Sequence, residues 1–76
     1  MKLKEMDVGI SGKIVGFSVK DRHYRQKLLR MGLVKGEFFL IIRKAPMGDP
    51  IEIKIKGYSL TLRKNEADAL DVEVVK

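Results

Sequence analysis

The chain has 76 residues, of which 45% are hydrophobic and 34% charged, and 16 Lys and Arg against 10 Asp and Glu leave a formal charge of +6. This length predicts one small domain over residues 1–76, and the apolar content is too high for a disordered chain. Cysteine is absent, which excludes disulfides and thiolate metal sites. No apolar run approaches the roughly 20 residues that span a bilayer or forms a signal peptide. We therefore expect a cytoplasmic protein without membrane insertion.

The first predicted elements are a strand over residues 13–19 and a helix over about residues 21–31. Apolar residues alternate in the strand, and Gly16 within it indicates a bulge or a tight bend. Asp21 is a suitable N-cap for the helix, and Gly32 supplies the left-handed conformation that commonly ends one. The apolar stripe that we assign to the inward side of this helix comprises Tyr24, Leu28, Leu29 and Met31.

A second strand is predicted over residues 38–44, after a turn at Gly36. Its first five residues are all apolar, so either both of its faces are covered or one face awaits a partner. Pro46 ends this strand and Pro50 begins the next one, with a turn at Gly48 between them. We interpret this stretch as a rigid connector whose tip residue, Met47, either packs over the end of the barrel or touches a partner.

The remaining chain alternates twice more and then closes with a short strand. Residues 51–56 place three isoleucines on one face, and residues 57–63 turn at a glycine and alternate again. Asn65 is a candidate cap for a short helical turn near residues 65–69, before a final strand over residues 71–75. About five short strands and one inserted helix predict a mostly β protein, a small and strongly bent antiparallel barrel.

Side chains that support catalysis are scarce. His23 is the only histidine, so a two-His iron site and a His-rich zinc site are excluded, and no glycine-rich phosphate loop occurs. Carboxylates on the strands alternate with apolar residues, as they do on a solvated face. We predict a non-enzymatic protein without cofactor or catalytic site, in which weak ferrous or zinc binding at surface carboxylates is a minor alternative.

Charge is distributed unevenly along the chain. Residues 20–44 hold eight basic and two acidic residues, whereas residues 65–76 hold four acidic residues and one lysine. Such asymmetry favours an acidic protein surface, a nucleic acid or an anionic lipid as partner, although a solvated basic excess is at least as common. The candidate contact residues on the helix, in the apolar run and at the connector tip are Arg22, Arg25, Lys27, Arg30, Phe39 and Met47.

Five segments, in this order and spacing, closely resemble the FeoA family of small cytoplasmic proteins associated with bacterial ferrous iron uptake. They are "GKIVGFSV", "LLRMGLVKG", "RKAPMGDPI", "IKGYSLTLRKNEA" and "DVEVV". The resemblance implies an SH3-like β-barrel with an inserted helix. It also implies a partner, the membrane iron transporter FeoB, whose cytoplasmic part contains a GTP-binding domain. A related barrel ends the iron-dependent repressors of the DtxR type, but 76 residues do not encode their DNA-binding region.

The leading hypothesis is therefore an accessory protein of ferrous iron uptake that binds and modulates the cytoplasmic part of FeoB. The alternative is a basic SH3-like module that binds nucleic acid or another anionic surface. Stacked aromatic side chains are required for single-strand binding, and only Phe39 and Tyr58 are candidates for them, so nucleic acid is the weaker alternative. Self-association through the apolar face of the second strand remains open beside these two.

Overall fold

Eight short elements follow one another along the chain in a computed structural model that describes all 76 residues. They are a 3-10 turn (Leu3–Glu5), β1 (Ser11–Phe17), α1 (Arg22–Arg30), β2 (Phe38–Lys44), β3 (Ile51–Ile55), β4 (Tyr58–Leu62), α2 (Lys64–Asp68) and β5 (Leu70–Val74). The strands form one antiparallel sheet in the order β4-β3-β2-β1-β5. The predicted mostly β architecture is confirmed. No helix is both long and apolar enough to cross a bilayer.

The core lies inside the curled sheet and contains no buried polar or charged side chain. Alternation in β3 turns Ile51, Ile53 and Ile55 inward, each at most 2% exposed. Burying one such side chain stabilises the fold by about 1.5–3 kcal/mol. The segment before β1 adds Leu3 and Met6 to this core, a contribution that the sequence pattern did not reveal.

Two irregularities bend the sheet. Pairing between β1 and β5 shifts between Ile14 and Gly16, and pairing between β2 and β3 shifts between Ile41 and Arg43. A bulge increases the local twist and bends the strand that carries it. The irregularity that Gly16 predicted is confirmed, and the second bulge lies in the long apolar strand, where the sequence offers no glycine to indicate it.

Helix α1 is held at both ends by the residues that the sequence indicated. The Asp21 carboxylate accepts hydrogen bonds from the backbone N–H groups of His23, at 2.9 Å, and Tyr24, at 3.5 Å. At the other end Gly32 has a φ of +94°, and its N–H donates to the Leu29 carbonyl at 3.0 Å. The next N–H, that of buried Leu33, donates to Leu28, which completes a Schellman motif. The helix is therefore a fixed element at the end of the barrel where β1 ends and β2 begins.

The first residues of the chain cover the outer edge of β5. The Val72 N–H donates to the Met1 carbonyl at 3.0 Å, and the Met1 ammonium donates to the Val72 carbonyl at 3.3 Å. Lys2 donates to Asp71 at 2.8 Å and to the Ser18 hydroxyl at 2.7 Å, and that hydroxyl donates to the same carboxylate. These contacts attach residues 1–6 to the sheet and satisfy backbone groups that β1 does not reach.

Gly12 is buried on the inner face of β1, against Phe39 and Met6, and we predict that Gly12→Ala destabilises the fold. A Cβ there would lie 2.6 Å from Phe39 Cζ, 2.9 Å from Met6 Cε and 3.0 Å from the Glu73 carbonyl oxygen. Overpacking of this kind costs about 1–3 kcal/mol. The matched control is Gly16→Ala, where the nearest atom would be 3.8 Å away. Urea unfolding of the two variants measures the difference, and equal midpoints would contradict the assigned packing.

The Asp71 carboxylate should give the protein part of its stability at neutral pH. Hydrogen bonds from Lys2 and then from the Ser18 hydroxyl hold the pKa of Asp71 below its ordinary value. In the unfolded chain an Asp carboxyl has a pKa of about 3.9. Because the pKa of Asp71 is lower in the folded protein, the ionised carboxylate stabilises the fold above about pH 4, and this stabilisation is lost as pH falls through the folded pKa. We expect Asp71→Asn to weaken this acid dependence in urea titrations at pH 7 and pH 3.

The matched variant is Lys2→Ala, which leaves the carboxylate in place and removes its first partner. In a double-mutant cycle at pH 7, the double variant should lose less free energy of unfolding than the sum of the losses in Lys2→Ala and Asp71→Asn, because both changes remove the same contact. The effect is small, since both side chains are about one third exposed. Full additivity of the two changes would show that the contact contributes nothing to stability.

Candidate interaction surface

The outward face of α1 carries two arginines that have no carboxylate partner. Arg22 and Arg30 take part in no ion pair, and both are exposed. Arg25 instead stacks 5.9 Å from the centre of the Phe17 ring and donates to the Val19 carbonyl at 3.3 Å. Arg25, one of the predicted contact residues, therefore has a structural role, because it holds the helix against the barrel.

Lys27 has a structural role of the same kind. Its ammonium lies 3.2 Å from a Glu66 carboxylate oxygen and 5.4 Å from the centre of the Tyr24 ring. Burial, followed by the charge of Glu66, raises the pKa of Tyr24, and the Tyr24 hydroxyl is buried without a hydrogen-bond partner. Lys27 thus links α1 to α2, and the arginines at the two ends of α1 remain available to a partner.

Leu29 belongs to the exposed face of α1 and not to its buried stripe. Its side chain is 40% exposed, whereas Leu28 is fully buried. Successive helical residues differ by 100° in direction, so the position after Leu28 turns away from the core, and positions four residues apart share a face. The interpretation of Leu29 as an inward residue is wrong. We define the α1 face as the exposed residues Arg22, Gln26, Leu29 and Arg30.

Phe39 is not an exposed contact residue. It is 4% exposed and lies opposite Gly12 and Ile55 on the inner side of β2. Its neighbours Phe38, 57% exposed, and Leu40, 37% exposed, point outward instead. The expectation of an exposed Phe39 is wrong because five consecutive apolar residues do not reveal which alternate set faces the core.

The outward pair on β2 is flanked by lysines from both neighbouring strands. Phe38 lies opposite Lys13 of β1, and Leu40 lies opposite Lys54 of β3. Lys13 is 3.5 Å from Glu73, whereas Lys54 has no carboxylate partner. The outer sheet face therefore combines a small apolar patch with positive charge. The sequence indicated an apolar strand here, but not which of its residues a partner could reach.

Met47 is held at the tip of the connector and is 92% exposed. The connector is closed by hydrogen bonds from the Ala45 N–H to the Pro50 carbonyl, at 3.1 Å, and from the Gly48 N–H to the Ala45 carbonyl, at 2.7 Å. Because the Met47 side chain is almost fully exposed, the first of the two alternatives, that it packs over the end of the barrel, is wrong. The side chain borders a cavity of about 330 Å³, whose lining is completed by Lys4, Gly48, Asp49, Ile51, Lys64, Ala67 and Asp68.

Asp49 anchors this connector to α2. Its carboxylate accepts a hydrogen bond from the Lys64 backbone N–H at 2.9 Å, and Glu66 accepts one from the Arg63 N–H at the same distance. The two carboxylates satisfy donors at the start of the helix, so the expectation that Asn65 caps it is wrong. A cap supplied from 15 residues away leaves no local signature in the sequence.

The candidate contact residues do not form one patch. β2 runs from the end of the barrel that carries α1 to the connector that carries Met47, and seven strand residues span about 20 Å. Met47 follows the last residue of β2 and α1 precedes its first, and α2 lies between the two regions, contacted by Lys27 from α1 and by Asp49 from the connector. No group of three or more His, Cys, Asp or Glu side chains is arranged to hold a metal ion.

The sequence profile of the FeoA domain matches residues 1–74. This chain belongs to the FeoA family. A curated relative in Porphyromonas gingivalis, the Fe(2+) transport protein A/Fe(2+) transporter FeoB fusion protein, is 33% identical over 76 residues. That match covers 99% of this chain and 9% of the relative, so the chain spans less than a tenth of the relative's length.

Solved structures of other family members have the same fold. Iron(II) transport protein A from Clostridium thermocellum superposes with a TM-score of 0.88 at 44% identity, over 99% of this chain and 46% of that one. The FeoA-like protein from Clostridium acetobutylicum superposes with a TM-score of 0.87 at 42% identity, and the match covers 100% of this chain and 87% of that one. The SH3-like barrel that the resemblance implied is confirmed.

A manganese-dependent transcriptional repressor also superposes well, with a TM-score of 0.89 at 17% identity. The match covers 99% of this chain and 36% of the repressor. At this identity the likeness shows a common fold alone, and it carries no inference about DNA.

Proposed function

We propose that this protein is a non-enzymatic accessory component of bacterial ferrous iron uptake that acts in the cytoplasm. In this proposal it binds and modulates the cytoplasmic GTP-binding part of the membrane transporter FeoB. The observation that carries the proposal is the relative in which a chain of this family and FeoB are fused. Fusion keeps two modules at a high effective concentration, which favours direct contact between them.

The α1 face supplies the features of such a contact surface. Arg22 and Arg30 carry charge that no carboxylate of this chain neutralises, and Leu29 exposes apolar area between them. Arginine is enriched at protein interfaces because its planar guanidinium binds carboxylates through two hydrogen bonds and loses hydration readily. The net charge of +6 favours an acidic surface on the partner and speeds the encounter with it.

We predict that Arg22→Glu lowers the affinity for the cytoplasmic portion of FeoB by about tenfold or more, as loss of a contact arginine commonly does. The fold should survive, because an acidic residue in the first turn of a helix is stabilising by about 0.3–1 kcal/mol. Titration calorimetry with and without guanine nucleotide measures the affinity. Lys76→Glu is the matched control, since it changes the net charge equally at an exposed position outside α1.

Three results would contradict this assignment. Equal losses in Arg22→Glu and Lys76→Glu would show that only net charge matters. Binding of FeoB that is unchanged in both variants would place the contact elsewhere on the barrel. Absence of binding by the wild-type protein, together with a salt-sensitive mobility shift of oligonucleotides, would replace the proposal by nucleic-acid binding.

The same titration tests Met47 at the tip of the connector. We predict that Met47→Ser weakens binding about fivefold or more, because burial of this side chain at an interface removes apolar area from water. Stability should change by less than about 0.5 kcal/mol, as expected for a side chain without intramolecular packing. Val8→Ser is the control, since Val8 is 53% exposed in another loop. Unchanged affinity would remove Met47 from the contact surface.

A further inference from the structure

The two edge strands of the sheet, β5 and β4, differ in whether another part of the chain covers their outer side. The outer edge of β5 is covered by Met1, which exchanges two hydrogen bonds with Val72. β4, at the other edge, pairs with β3 alone. An open edge presents unpaired N–H and C=O groups that another chain can pair with, and proteins usually blunt it with charge, proline or a bulge.

β4 carries none of these protections. Its sequence, YSLTL, has no charged residue and no proline, and its pairing with β3 is regular over five residue pairs. Met1 performs on β5 the covering role that no segment of the chain performs on β4. The edge of β4 is therefore open to pairing with a further strand along its whole length.

The turn between β3 and β4 determines which groups face outward. Lys56 and Gly57 form a two-residue turn with φ values of +53° and +84°, a type I′ geometry. In such a hairpin the pair next to the turn, Ile55 and Tyr58, is hydrogen-bonded, and the bonded pairs then alternate. The N–H and C=O groups of Ser59 and Thr61 consequently point away from β3. Neither residue has another hydrogen bond, and both are exposed.

Positive charge surrounds this edge. Lys54 lies opposite Ser59, and Arg63 and Lys64 follow the end of β4 directly. None of these three side chains has a carboxylate partner. The nearest carboxylate on the neighbouring strand, that of Glu52 opposite Thr61, lies 3.6 Å from Arg43 Nε. At the end of β4 the Asp49 and Glu66 carboxylates accept hydrogen bonds from the Lys64 and Arg63 backbone N–H groups, and Glu66 is also paired with Lys27. A chain that pairs with β4 therefore meets the unpaired side chain of Lys54 near one end and those of Arg63 and Lys64 at the other.

We propose that β4 accepts an extended, acidic segment of a partner polypeptide as a sixth strand. The segment pairs its backbone with the outward groups of Ser59 and Thr61, and its carboxylates meet Lys54, Arg63 and Lys64. Backbone pairing gives affinity in this mode of recognition, and pockets for alternate side chains give selectivity. A cavity of about 190 Å³ beside Thr61 is such a pocket, and it is lined by Arg43, Ala45, Pro50, Glu52 and Thr61.

A second copy of the same chain is a poorer occupant of this edge. Antiparallel pairing of two β4 strands would bring two sets of unpaired lysines and arginines together, each on a protein with a charge of +6. Like charges placed opposite one another in a sheet are destabilising. The inference concerns a different surface from the α1 face and does not depend on which protein supplies the segment.

The experiment uses the full chain, labelled with ¹⁵N, and a blocked synthetic peptide of about nine residues that alternates Val and Glu. We expect the largest amide shifts at Ser59 and Thr61, slower hydrogen exchange at both amides, and an affinity that falls as salt rises. A peptide that alternates Val and Lys should bind at least about tenfold more weakly, because its charges repel the lysines and arginines beside β4.

Thr61→Pro tests the backbone contact directly. It removes an outward N–H that β3 does not use, a position at which edge strands tolerate proline, and should lower affinity at least about tenfold. Thr61→Ala keeps the N–H and should bind as the wild-type protein does. If Thr61→Pro does not fold, a Val/Glu peptide N-methylated on every residue tests the same contact, because it has no backbone N–H on either edge, and it should lose binding to the wild-type protein.

Several outcomes would overturn the proposal. They are no amide shifts at millimolar peptide, shifts confined to α1, equal binding of the acidic and basic peptides, and undiminished binding of the N-methylated peptide. A concentration-dependent dimer in sedimentation velocity that Thr61→Pro abolishes would assign the edge to a second copy instead. The probe is a synthetic peptide, so a negative result in the peptide experiment does not contradict the binding of FeoB. A negative result in the FeoB titration likewise does not contradict the binding of the peptide to β4.

Discussion

The inward alternation of β3 is the constraint on which the rest of the structure depends. Ile51, Ile53 and Ile55 are buried, and β3 pairs with β2 on one side and with β4 on the other. A slip of one residue would turn all three isoleucines to solvent, at a cost that a chain of 76 residues has little stability to offset. The register of three strands is therefore fixed by one of them.

This register decides which surfaces the protein presents. Because Ile55 faces inward, Phe39 opposite it is buried and Phe38 is exposed. The same register, together with the two-residue turn, directs the outward backbone groups of Ser59 and Thr61 to the open edge. The packing of the β3 isoleucines in the core thus decides which apolar residues are exposed on the outer face of the sheet. It also decides which backbone groups of β4 are free to pair with another chain.

Contacts distant in sequence complete the barrel where local pairing ends. Met1 covers β5, Asp49 caps α2, and the Tyr58 hydroxyl donates to the Met31 carbonyl at 2.7 Å at the end of α1. Each contact satisfies backbone groups that would otherwise depend on water. They also hold the α1 face and the Met47 tip in place, and α2, which contacts both α1 and the connector, lies between these two candidate contact positions.

The candidate site was predictable only in part. The sequence located the basic helix and its ends, because the Asp21 cap and the Gly32 stop act on backbone groups within a few residues. It did not separate Arg22 and Arg30 from Arg25 and Lys27, because the contacts of the latter two, with Val19, Phe17, Tyr24 and Glu66, depend on how the helix is seated on the barrel.

By itself the sequence determined the strands, the main helix, the connector between its two prolines and the family, since these follow from periodicity, capping and local turn chemistry. Only the tertiary structure decided that Phe39 is buried, that Leu29 and Met47 are exposed and that the N-terminal residues cover β5. The physical reason is common to all of these. Exposure and edge pairing depend on which element lies opposite, and that is a property of the folded chain rather than of any local segment.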